Sequence, residues 1–175
     1  MPATATPLNC NARGMEMTLY YNTGDSETPV WVEHLGITGD LTISEVEDDE
    51  EITSRNRERQ TKQYVAGETD VNITGTQIMD PAYQGWQTLY SARTHGNPID
   101  IMILTSPMDV IDSVGWRGYV WNKDRTFNGP GTGAQTQAFS LRPAACTDTP
   151  LRPVKVTGID VVEDYDPAIV EAVGS

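Results

Sequence analysis

The stretch DPAYQGWQTLYSARTHGNPIDIMIL, residues 80–104, changes its apolar period twice, and those changes set the fold class. Asp80 suits a helix N-terminus and Pro81 its first position. Tyr83, Trp86, Leu89, Tyr90 and Arg93 then recur at spacings near three and four, and Gly96 and Pro98 end the run. The spacing predicts one helix over residues 81–94, burying Tyr83, Trp86 and Leu89 or Tyr90, with Gly85 placed for close packing on a sheet. His95, at its end, reads as a cation favoured by the helix dipole. IDIMIL, residues 99–104, is a short, mostly apolar run and reads as a central strand.

On either side of this stretch the period is two. In MEMTLYY, Met15, Met17, Leu19 and Tyr21 share one face and Glu16, Thr18 and Tyr20 the other, the pattern of a half-buried strand. VWVEHL (30–35), LTISEV (41–46), TDVNITGTQIM (69–79), GWRGYVWN (115–122), AFSLRP (138–143) and a last short strand in VKVTGIDVV (154–162) continue it. Turn residues in NTGDSETP and SPMDVIDSVG, and a glycine-rich loop in KDRTFNGPGTGAQTQ, separate them. Six to eight short strands with one helix predict a mainly β fold, an antiparallel β-sandwich or barrel with one flanking α-helix. Residues 1–14 read as an N-terminal arm, 15–146 as the β domain and 147–175 as a C-terminal extension whose tail carries acids and no bases.

Composition narrows the function. With its 15 glycines counted, the chain is about 47% apolar, ordinary for a globular protein of 175 residues. A net charge of −13 repels nucleic acid and anionic membrane at long range. The N-terminus has no basic and apolar leader pattern, and no run approaches a membrane span, so a soluble protein made in a cytoplasm is expected. Cys10 and Cys146 are then expected as free thiols.

Catalytic chemistry finds no signature. His34 and His95 have no nucleophile motif beside them, and no Cys/His cluster has zinc spacing. Asp100 and Asp109 read as strand-end and loop carboxylates. GPGTG lacks the Lys-Ser/Thr of a phosphate loop, and the Asn72 sequon is a weak motif. No catalytic residue, metal or cofactor is expected.

One segment stands apart. EVEDDEEITSRNRERQTK, residues 45–62, holds six carboxylates in its first seven positions and four cations in the next eleven. It lacks the glycine and ligand spacing of a calcium loop. With no apolar period it reads as a long charged inter-strand loop. Sorted blocks of opposite sign suit a surface that meets its complement on another molecule.

The order LYYNTG, TPVWVEHLGITGDLTI, a charged segment containing TSR, DVNITG, the helical stretch with IDIMIL, GWRGYVWN and SLRP resembles the major tail tube proteins of tailed bacteriophages, over roughly residues 19–143. The resemblance implies a β-sandwich with one flanking helix, whose subunits close into hexameric rings that stack into a conduit for phage DNA. It places Glu45, Glu47, Asp48, Asp49, Glu50, Glu51, Arg55, Arg57, Arg59 and Lys62 in the loop that joins subunits of neighbouring rings. The partners it implies are copies of the chain, then the tape measure, tail tip and terminator proteins. DNA passes without specific binding, no membrane is involved, and the protein resides in the virion after synthesis in the host cytoplasm. The acidic start of that loop and residues 147–175 depart from the family pattern. The competing expectation is a monomeric β-sandwich that binds a ligand or carbohydrate, with Trp31, Trp86, Trp116 and Trp121 as stacking platforms.

Overall fold

A computed structural model describes residues 17–53, 62–92, 97–144 and 151–165. In chain order the elements are β1 (Thr18–Asn22), β2 (Trp31–Glu33), β3 (Thr42–Thr53), β4 (Lys62–Ile78), α1 (Gln84–Ser91), β5 (Ile99–Leu104), β6 (Val114–Asn128), β7 (Thr136–Pro143), β8 (Arg152–Gly158) and β9 (Val161–Asp164). The fold is mainly β with one helix. The strands form one antiparallel sheet in the order β2-β1-β5-β6-β7-β4-β3, with β9 paired to β8 and β8 to β6. β5 takes one edge of β6 over Gly115–Val120, while β8 and then β7 share the other, at Val114–Arg117 and Val120–Asn128. The long β6 strand thus serves two sets of neighbours.

Period two explains the packing. Ile101 and Ile103 of β5 join Leu19 of β1, Ile73 of β4, Val120 of β6, Phe139 and Leu141 of β7, Leu41 and Leu89 in the main core. Met102 and Leu104 point the other way, into a second cluster with Tyr20 and with Val154 and Val156 of β8. Both faces of β5 are therefore buried, which is why IDIMIL is nearly all apolar. β1 is buried on both faces as well: Leu19, Tyr20 and Tyr21 are 1%, 5% and 2% exposed, so this strand is not half-buried as its alternation suggests. Each large side chain so buried contributes about 1.5–3 kcal/mol.

Helix α1 is shorter than predicted. Asp80 Oδ1 accepts from Ala82 N at 2.9 Å and Asp80 O from Tyr83 N at 3.0 Å, so Asp80 caps a tight turn and the helix begins after it. The N-cap residue is Tyr83, with no side-chain cap. Gly85, Trp86 and Leu89 form the buried face. Gly85 is needed for the Tyr83 ring rather than for the sheet: a Cβ there would stand 2.7 Å from Tyr83 Cε1. The helix C-terminus is held by Asn122, whose N donates to Ala92 O at 2.7 Å and whose Nδ2 donates to Leu89 O at 3.3 Å. Those carbonyls have no partner inside the helix. Asn122 sits where the β6–β7 register shifts. Arg93 and His95 lie outside the described residues.

Three further expectations change. VKVTGIDVV forms the two strands β8 and β9, turning through Asp160 at φ 58, a left-handed conformation that Asp tolerates. Much of KDRTFNGPGTGAQTQ is ladder, since β6 runs to Asn128 and β7 starts at Thr136. The charged segment is the largest change. β3 continues through Thr53 and β4 starts at Lys62, so the expected long loop is a β-ribbon with residues 54–61 as its connection. Pairing satisfies the backbone of a segment that a loop would leave to water. Residues 47–51 are all acidic and show no apolar alternation, but the opposite strand carries the β-forming Tyr64, Val65, Val71 and Ile73.

Candidate functional site

The ribbon extends beyond the sheet that supports it. β4 pairs with β7 only from Ile73↔Leu141 to Ile78↔Thr136, whereas β3 and β4 stay paired as far as Thr53↔Lys62. Residues 45–53 at roughly 3.3 Å each make a projecting shaft on the order of 30 Å long. An isolated two-stranded ribbon is marginally stable in water, and its outer edges offer unpaired N–H and C=O groups.

Its base is fastened by three contacts. Trp116 Nε1 of β6 donates to Glu45 Oε1 at 2.9 Å. Arg142 of β7 pairs with Asp70 at 3.0 Å. Ser140 Oγ donates to Asn72 Oδ1 at 2.7 Å, which commits the side chain of the sequon asparagine to the sheet. Val46, beside Glu45, is 53% exposed.

The register gives the acids of β3 uncharged partners. Glu45 stands opposite Val71, Glu47 opposite Thr69, Asp49 opposite Ala66, Glu50 opposite Val65 and Glu51 opposite Tyr64, while Lys62 stands opposite Thr53. Asp48 lies where the register shifts. No acid of β3 thus has a cation as its direct cross-strand partner, the position where opposite charges interact best. The structure places Glu45, Glu47, Asp48, Asp49, Glu50, Glu51 and Lys62 together on one ribbon. Arg55, Arg57 and Arg59 belong to residues 54–61, outside the described residues.

The other candidates are structural. Asp100, expected to be solvated, is 6% exposed and accepts from Arg117 and from Asn22 Nδ2, both at 3.2 Å. The register explains this: Asp100 faces Tyr119, two residues along from Arg117. Arg117 also lies over the Trp31 ring at 4.9 Å. Trp86 is buried and stacks on Tyr90 at 4.8 Å, and Trp31, Trp116 and Trp121 are half-buried. Among the described residues no group of three His, Cys, Asp or Glu could hold a metal ion, and no helix is long and apolar enough to cross a membrane.

One buried feature corresponds to no sequence motif. His34, Gln77 and Gln137 are 4%, 0% and 0% exposed and form a buried hydrogen-bonded chain. The strand period does place both glutamines inward, in phase with Ile73 on β4 and with Phe139 and Leu141 on β7. His34 meets them through the β2–β3 connection, a contact 43 residues away in sequence.

No family model and no curated protein sequence matches the chain. Solved structures do. The SPP1 tail tube superposes with a TM-score of 0.58 at 15% identity, covering 85% of this chain and 80% of that one. The tail of an empty gene transfer agent particle, refined with C6 symmetry, gives 0.57 at 11% identity, covering 88% and 98%. The sheath–tube complex of an extracellular contractile injection system in its extended state gives 0.52 at 11%, covering 93% and 100%. At these identities the likeness is one of fold: the chain has the fold found in tail tubes.

Proposed function

We propose that this chain is a structural tail tube subunit of a virion. Copies close into hexameric rings, the rings stack into a conduit for phage DNA, and the β3–β4 ribbon joins one ring to the next. The observation that carries this reading is the ribbon itself: about 30 Å of two-stranded sheet beyond its support, acidic along β3 and cationic around its connection. A ribbon of that kind is stable when another surface covers it.

Charge and symmetry support the same reading. Rings of identical subunits use heterologous contacts, so each subunit needs two different, complementary patches. The acids of β3 and the cations Arg55, Arg57, Arg59 and Lys62 supply such a pair. Each exposed ion pair contributes only up to about 1 kcal/mol, but symmetry repeats it at every subunit. A wall built from chains at −13 also repels a polyanion and lets it slide. At its ends such a tube meets the tape measure, tail tip and terminator proteins.

The test is a charge reversal. The triple variant Arg55→Glu, Arg57→Glu, Arg59→Glu should keep the far-UV spectrum and melting behaviour of the folded monomer and lose the fast-sedimenting assemblies of the parent. Adding Asp48→Lys, Asp49→Lys and Glu50→Lys should partly restore them. Assembly that is unimpaired in the triple variant would show that the ribbon is not the joint.

A further inference from the structure

His34 occupies a buried polar chain with a fixed direction. Its Nδ1 accepts from Gly36 N at 3.2 Å. A neutral ring that accepts at Nδ1 carries its proton on Nε2, which then donates to Gln77 Oε1 at 2.9 Å. That bond orients the Gln77 amide, so its Nε2 donates to Gln137 Oε1 at 3.3 Å, and Gln137 Nε2 is left without an acceptor. Every donor points the same way along the chain. A second ring proton, on Nδ1, would meet the Gly36 N–H head-on.

The same residues fasten three elements. Ile78 N donates to Gly36 O and Thr38 N to Thr76 O, both at 2.8 Å, tying the β2–β3 connection to the end of β4. Leu35 N donates to Tyr83 Oη at 2.9 Å, tying it to the start of α1. The imidazole packs edge-on against Tyr83 at 5.4 Å and Tyr21 at 6.1 Å. We propose that His34 is a pH-sensitive latch: the neutral ring clamps residues 34–38 to β4 and to the start of α1, and protonation releases them. This inference stands independently of the proposed function.

Among the described residues, the groups facing the ring are Tyr21 from β1, Tyr83 from the turn before α1, the Gly85 backbone at the start of α1, Gln77 from β4 and, through it, Gln137 from β7. Exposed Glu33 precedes His34, and exposed Asp40 lines the same cleft. No cation is among them. Burial holds the ring below the ordinary histidine value of 6.5, with the Gln77 hydrogen bond and the backbone of His34 and Gly85 opposing in part. A released His34 therefore takes up its proton at a higher pH than the latched one. The latch is fully effective above about pH 6.5, weakens as pH falls toward the latched value, and changes no further below it.

The experiment uses the full chain, labelled with nitrogen-15. Long-range imidazole correlations at pH 8 should show His34 with Nδ1 unprotonated and Nε2 carrying the proton, and its titration should fall below 6.5. Across that window amide exchange at Leu35, Gly36, Thr38 and Ile78, corrected for intrinsic rates, should accelerate by up to about tenfold per pH unit. Ile101 and Ile103 amides in β5 should not follow. His34→Gln should abolish the step, and His95→Gln, which changes the only other histidine, should keep it. The proposal is overturned by an Nδ1–H tautomer, by titration at the ordinary value, by exchange that ignores it, or by a step that survives in His34→Gln. The wild-type titration decides even where that variant does not fold.

Discussion

The indole N–H of Trp116 donates to the carboxylate of Glu45 at 2.9 Å, joining β6 to an edge strand 71 residues away in sequence. It locks the root of the projecting ribbon against the strand that spans both sets of sheet neighbours. Glu45→Ala should lower stability to urea by about 1 kcal/mol, the net worth of one hydrogen bond, and Glu45→Gln, which keeps an acceptor, should lose less. Equal midpoints for Glu45→Ala and the parent would show that the contact holds nothing.

The helix is fixed by one face. Leu89 is fully buried in the main core and Trp86 is 9% exposed against Tyr90. Truncation should cost about 2–5 kcal/mol for Leu89→Ala and about 3–5 kcal/mol for Trp86→Ala. A melting point within a degree or two of the parent for either variant would mean that the helix packs by another face.

Gly115 marks a point where two backbones approach too closely for any side chain. A Cβ there would lie 1.8 Å from Ile103 O, inside the β5–β6 ladder. Gly115→Ala should prevent native folding, seen as insoluble protein or loss of the cooperative melt. A folded, soluble Gly115→Ala protein would contradict this register.

Much of the architecture is legible in the sequence where burial follows a clean period. IDIMIL reads as a central strand because both its faces are apolar, and Trp86 and Leu89 mark the helix because their spacing is three. The ribbon is hidden for the converse reason: acids at residues 47–51 leave no apolar alternation to read, so only the partner strand shows a β pattern. Asp100 reads as a solvated carboxylate and His34 as an ordinary strand-face residue because the groups that hold them, Arg117 and Gln77, are distant in sequence and brought there by the fold. Asp80 misplaces the helix start because a tight turn uses the same side-chain cap as a helix does.

Net charge sets an expectation for DNA. At −13 the chain should give no shift of duplex DNA at physiological salt, even at micromolar protein. Submicromolar binding that weakens with salt would be incompatible with a wall that lets DNA slide.

Electron microscopy of the purified wild-type protein at high concentration tests the tube proposal most directly. Six-fold rings with an open lumen, stacked into filaments with density bridging successive rings at the ribbon, are the predicted result. A protein that stays monomeric at every concentration would contradict it.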